Sequence, residues 1–182
     1  MIYVFLANGF EEIEALAPVD ILRRAGKQVQ TVGIGGKIIT GSHGVAVQAD
    51  LTESEIVLGN ALEMIVLPGG MPGTLHLEKS ETVQTVIDFC AEREIYIGAI
   101  CAAPSILGHK NLLNGKQAIA YPGFEAELTG AVISENSVVQ SDFIITAQGA
   151  GVAVPFGLKL AEVLTSPEKA LKIKASICYP EH

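Results

Sequence analysis

A chain of 182 residues, 49% apolar and 18% charged, is long enough to close one core and too hydrophobic to stay disordered, so residues 1–182 are read as one globular domain. A formal net charge of −8, with no cluster of Lys and Arg to offset it, sets the surface against phosphate backbones, and no nucleic-acid partner is expected. The longest nearly uninterrupted apolar run, Ile95 to Gly108, is short for a membrane span and contains Pro104, so no membrane association is expected either.

Ile2 to Leu6 is a continuous apolar run of the kind that forms a strand covered on both faces, and it ends in the turn-like Ala7-Asn8-Gly9. It has no basic stretch before it and runs into Glu11 and Glu12, unlike a secretory signal, which predicts a cytoplasmic protein. Glu11 and Glu12 suit the first turn of a helix and Gly26 its end. Pro18 has no N–H for the carbonyl of Glu14, which predicts a kink inside that helix. Val29 to Ile34 is a second strand, and Lys37 to Thr40 with Val45 to Ala49 reads as a hairpin turning through Gly41-Ser42-His43-Gly44.

Glu63 to Leu67 is again a buried strand, followed by the loop Pro68-Gly69-Gly70-Met71-Pro72-Gly73. Ser80 is placed to cap a helix that carries Val83, Val86, Ile87 and Cys90 on one face. Ile95 to Ile100 is the next strand, and Pro104 suits the first turn of a helix that ends near Asn111 to Gly115. Short β segments near Ala118 to Tyr121, Ala131 to Ile133 and Val138 to Gln140 lead to a strand from Phe143 to Thr146 and a Gly149-Ala150-Gly151 turn. A helix from about Val152 to Leu164 and a terminal helix opened by Ser166-Pro167-Glu168 complete the pattern. Strands alternating with helices predict a doubly wound, mostly parallel α/β sheet, in which the loops after residues 6, 67, 100 and 146 converge at the carboxyl edge where such sheets bind ligands.

Cys101 stands directly between a strand and a helix start, in Ile100-Cys101-Ala102-Ala103-Pro104, an arrangement that resembles a nucleophile elbow. A thiol there feels the positive end of the helix dipole and free N–H groups, which favour the thiolate; the plain reading is a small buried hydrophobe. Cys90 continues the apolar face of its helix and Cys178 lies near a terminus, so both are assigned to packing or incidental exposure. With three cysteines and no CxxC spacing, neither a disulfide framework nor a thiolate metal site is predicted. The 68–73 loop brings backbone amides to the same edge, where they serve either a tight turn or the binding of an oxyanion. It lacks the spacing of a phosphate or dinucleotide loop, and no nucleotide cofactor is expected.

Glu14 is the acid placed to face Cys101. Two adjacent anions repel, so a productive pair requires a carboxyl that holds its proton, whereas an isolated helical glutamate is usually a solvated face. His43, His76, His109 and His182 show no HxxxH or HExxH spacing, and no metal is expected. His43, in its glycine-flanked turn, and Tyr121, before Pro122, are further polar groups within reach of a cleft.

Ala7-Asn8-Gly9-Phe10-Glu11-Glu12-Ile13-Glu14, Pro18-Val19-Asp20-Ile21-Leu22-Arg23-Arg24-Ala25-Gly26, Leu67-Pro68-Gly69-Gly70 and Ala99-Ile100-Cys101-Ala102-Ala103-Pro104 resemble the DJ-1/ThiJ/PfpI superfamily, in order, from residue 2 to about residue 165. The resemblance implies a flavodoxin-like three-layer α/β/α sandwich and a homodimer. It implies Cys101 as the reactive nucleophile, Glu14 as the protonated glutamate beside it and the amides of Gly70 and Ala102 as an oxyanion pocket, with Gly69, Tyr121 and His43 in reach of substrate. Protease-like members carry a histidine where Ala102 stands, so the DJ-1 branch fits better than a Cys-His peptidase. Tyr121 and Gln148 stand where that branch often has histidine and arginine, and His43 where some members bring an arginine from the partner subunit.

The function so implied is a cysteine-dependent, glutathione-independent glyoxalase or deglycase acting on reactive dicarbonyls such as methylglyoxal, with lactate as product. The alternative is an oxidative-stress sensor or redox-regulated chaperone, in which Cys101 is oxidised to a sulfinic acid held by the Glu14 proton.

Overall fold

Strands that are apolar on both faces must be covered on both, and this chain solves the problem with a seven-stranded sheet between helices. In the computed structural model, which describes residues 1–180, β1 (Ile2–Leu6) leads through α1 (Glu12–Arg24) to β2 (Val29–Gly33), the hairpin of β3 (Ile38–Thr40) and β4 (Ala46–Gln48), and the short β5 (Leu51–Thr52). There follow β6 (Met64–Leu67), α2 (Gly73–Lys79), α3 (Glu81–Glu92), β7 (Tyr96–Ile100) and α4 (Pro104–His109). β8 (Gln117–Ala118), β9 (Val132–Ile133), β10 (Val138–Ser141), β11 (Ile144–Ala147), α5 (Ala153–Leu164) and α6 (Pro167–Ser176) complete the described elements, apart from three single-turn 3-10 segments.

The sheet runs β10-β11-β7-β6-β1-β2-β5, parallel throughout except for the edge strand β10. Without its two outermost strands this is the 2-1-3-4-5 order of a flavodoxin-like fold, as the sequence pattern predicts. The chain winds outward from β1 to β2 and returns on the far side of β1 as β6. Loops that leave the carboxyl ends of β1 and β6 therefore part in opposite directions and open a crevice between them.

Side-chain alternation along the strands divides the core into two layers. Ile2, Val4 and Leu6 of β1 and Met64 and Val66 of β6 pack with Val19 and Leu22 of α1 and Phe156 and Leu160 of α5. Tyr3 and Phe5, with Ile65 and Leu67, pack on the opposite face with Val83, Val86, Ile87 and Cys90 of α3 and Ile106 and Leu107 of α4. No helix among the described residues is long and apolar enough to cross a membrane.

Several local expectations change. α1 runs unbroken through Pro18; one hydrogen bond to the Glu14 carbonyl is lost, while Pro18 and Ile21 pack against Gly157 of α5 and hold the helix in place. The Met71-Pro72-Gly73 run opens α2, which the loop-like composition hides. α4 stops at His109, because Asn111 takes the left-handed φ of +58° and turns the chain. β8 covers only Gln117–Ala118, and Ile119 to Tyr121 continue as a loop across the site. His182 lies outside the described residues.

Candidate active site

β7 ends at Ile100, and the chain turns so sharply there that Cys101 takes a φ of +65°, a strained conformation for a residue with a side chain. Its amide donates to the Ala147 carbonyl at 2.9 Å and its carbonyl accepts from the Tyr121 amide at 2.8 Å, so the elbow is held from both sides. Glu14, in the first turn of α1, is 1% exposed. Its Oε2 accepts the Gly69 amide at 3.0 Å, and its carboxyl also meets the Cys101 side chain and the Ala150 amide. The amides of Gly70 and Ala102 face the Cys101 sulfur.

Gly69 makes this contact possible. A Cβ there would lie 2.5 Å from the Cys101 Cβ and 2.6 Å from the Glu14 Oε2, so only bare backbone passes between acid and thiol. The 68–73 loop is laced to the loop after β1: the Glu11 amide donates to the Gly69 carbonyl at 2.9 Å and the Gly73 amide to the Gly9 carbonyl at 3.3 Å. An open cleft of about 420 Å³ beside the pair is lined by Tyr121, Pro122 and residues 148–152, with Gln148 as a polar group and no Lys or Arg.

Burial, aided by the nearby Glu11 charge, raises Glu14 to about 7 against the pull of the thiol and the Gly69 and Ala150 amides. Burial also pushes the Cys101 thiol up to about 12, reinforced by the Glu14 carboxylate and opposed by the Gly70 and Ala102 amides. The helix start alone therefore does not yield a free thiolate. The pair holds one negative charge at a time, because a proton on either group removes the repulsion that raises the other.

His43 belongs to a separate cluster. Its amide donates to Glu12 Oε1 at 2.9 Å and its Nδ1–H to Glu12 Oε2 at 3.0 Å, while the Val45 amide donates to the same carboxylate at 3.3 Å. Burial alone would raise Glu12, but these bonds and its own amide outweigh it and hold the carboxyl near 2. Glu11, Glu12 and His43 bring ligand atoms within 4.8 Å of one another, a grouping that linear spacing does not reveal, although Glu12 already has its hydrogen bonds within the hairpin.

The DJ-1/PfpI family model matches residues 1–163. The chain belongs to that family. It is similar to Protein dj-1beta of Drosophila melanogaster, 32% identical over 173 residues that cover 93% of this chain and 92% of the relative. It is also similar to the Caenorhabditis elegans protein named Glutathione-independent glyoxalase DJR-1.2, 29% identical over 169 residues, 92% of this chain and 90% of the other. The solved structure described as Toxoplasma gondii DJ-1, oxidized, superposes with a TM-score of 0.91 at 35% identity and covers 99% of this chain and 98% of its own.

Of the residues singled out in the sequence, Cys101, Glu14, Gly69, Gly70 and Ala102 meet at one point, and Tyr121 flanks them. His43 does not join them in this chain; its side-chain partners are Ser42, Glu11 and Glu12. The Ala150 amide on Glu14 was missed, and the only sequence signal for it was a glycine-flanked turn after a strand at the same edge.

Replacing Glu14 by Gln removes the charge that repels the thiolate. The Cys101 thiolate absorbance in E14Q, with the Cys101→Ser spectrum subtracted, should therefore titrate at lower pH than in the wild type. Glu12 titrates below its ordinary 4.5, so its contribution to stability is full above about pH 4.5 and is lost as pH falls toward about 2. Denaturant unfolding should show E12Q less stable than wild type at neutral pH, with the gap closing over that acid range.

Proposed function

We propose that the chain is a cysteine-dependent, glutathione-independent glyoxalase-type enzyme that acts on small reactive dicarbonyls such as methylglyoxal. The observation that carries this reading is a carboxyl raised to about 7 in contact with a thiol at a strained elbow, with two backbone amides on the sulfur. The name of the C. elegans relative supports the same chemistry. The uncharged cleft of Tyr121 and Gln148 suits an uncharged substrate.

In this reading the ionised Glu14 takes the Cys101 proton as sulfur adds to the aldehyde carbon, so the single negative charge passes to the substrate oxygen. The Gly70 and Ala102 amides stabilise that oxygen. Glu14 returns its proton to that oxygen to give the hemithioacetal, then takes the C1 proton and delivers it to C2 while the C1 hydroxyl proton passes to the C2 oxygen, which turns the ketone into an alcohol and the hemithioacetal into a thioester. Water then splits the thioester and releases lactate and free thiol, with no external oxidant or reductant. A homodimer in the cytoplasm belongs to the same reading; exposed Ile13 and Val45, on either side of Glu12, offer apolar surface to a second copy.

A second reading, an oxidation sensor, is favoured by the solved relative described as oxidized and by a Glu14 that can donate a proton to a sulfinate. Two peroxides would each give one oxygen to the sulfur and leave as water.

Conversion of methylglyoxal to lactate without glutathione should fall at least about 100-fold in Cys101→Ser and by about 10²–10⁴ in Glu14→Gln. The wild-type rate should rise with pH through about 7, as Glu14 becomes able to accept the thiol proton. No turnover at any protein concentration rejects the enzyme. For the sensor, intact mass during peroxide titration should show two oxygens on Cys101 before any on the exposed Cys178; equal rates at the two thiols reject it.

A further inference from the structure

Away from the thiol, one histidine joins three elements that each continue from a part of the site. His109 closes α4, which follows Cys101 and Ala102. Its Nδ1 is within hydrogen-bond distance of Glu78 in α2, the helix that follows the Gly69-Gly70 loop. Its Nε2 lies 2.8 Å from Glu127 Oε2, in the 3-10 turn of residues 125–127 that follows Tyr121. A neutral imidazole has one N–H, so both contacts are hydrogen bonds at once only when the ring is protonated. The bonds to Glu78 and Glu127 raise the ring's affinity for its proton. Of the charged residues next to these in sequence, Lys110 is engaged with Asp88 of α3 at 2.8 Å and Glu125 accepts the Gly123 amide at 2.7 Å.

Within segment 121–127, Phe124 packs against the core layer that holds α3 and α4, and the segment has few other anchors. All of its residues except Phe124 are exposed. It is tied down by the Tyr121 amide on the Cys101 carbonyl and by a backbone contact with α4 so close that a Cβ at Gly108 would collide with the Glu127 carbonyl. An ion pair at the neighbouring position fastens the far end of the same segment.

We propose that the His109 imidazolium is a positioning residue that bridges Glu78 and Glu127, thereby holding the 121–127 strap and its Tyr121 at the mouth of the Cys101 cleft, and that it lets one arm go when the ring loses its proton. With both carboxylates ionised, the bridge is full below the ring's ordinary 6.5 and weakens as pH rises through its raised titration. The kinetic consequence rests on the glyoxalase reading; the structural one does not.

Hydrogen exchange followed by mass spectrometry tests it in the intact protein, with His109→Gln, which puts no positive charge between the two carboxylates and no donor pair at the two ring-nitrogen positions, and Glu127→Ala, which removes one arm and leaves the other. Amides of residues 123–128 should exchange about two- to fivefold faster in both variants, with β1, β6 and β7 unchanged, and the difference from wild type should shrink at alkaline pH after correction for intrinsic rates. KM for methylglyoxal should rise in both variants, and its alkaline rise in the wild type should be absent from H109Q. Wild-type exchange in both variants overturns the bridge, and faster exchange with unchanged KM overturns its role at the cleft. Failure of the wild type to turn over methylglyoxal counts against the enzyme reading alone, and the exchange rates still decide the bridge.

Discussion

A carboxyl and a thiol share one buried pocket, and the pocket has room for a single negative charge between them. Each group is pushed toward its neutral form by burial and drawn toward its charged form by two backbone amides, Gly69 and Ala150 for Glu14, Gly70 and Ala102 for Cys101. The balance depends on distances that side chains on the intervening loop would destroy. The sheet supplies those distances by placing the ends of β1, β6, β7 and β11 at one edge, so that a helix turn, a bare peptide, an elbow and a glycine turn converge. The chemistry open to the site is thus set by backbone placement as much as by the two reactive side chains.

The central strands were legible in the sequence because burial on both faces leaves an apolar run with no alternation, as in Ile2 to Leu6 and Glu63 to Leu67. The acid, the thiol and the glycine loop were legible because each stands at a strand end or helix start, where local sequence fixes geometry. α2 was hidden because Met71-Pro72-Gly73, which locally signals a turn, leads directly into it. The thiol's own balance was misjudged for a different reason: the helix start is visible in sequence, whereas burial against Glu14 is a property of the assembled core.

Polar clusters that join distant segments were the least legible. His43 and Glu12 are 31 positions apart, and so are His109 and Glu78, and no spacing rule connects them. Both clusters have the same construction, a histidine held by carboxylates across the start or end of a helix. In an acidic chain this arrangement lets carboxylates that would otherwise repel one another share a cation, and it ties loop to helix. The cleft itself is left without Lys or Arg, and its lining offers Tyr121 and Gln148 instead.

The alternation in β1 has consequences for how this chain can change. Odd and even residues of that strand serve different helical layers, and both of its neighbours in the sheet are parallel partners. Loss or gain of one residue within it would exchange the contacts of both layers in a single step. In β1 this fold can therefore accept a change in the size of a side chain but not in the count of residues.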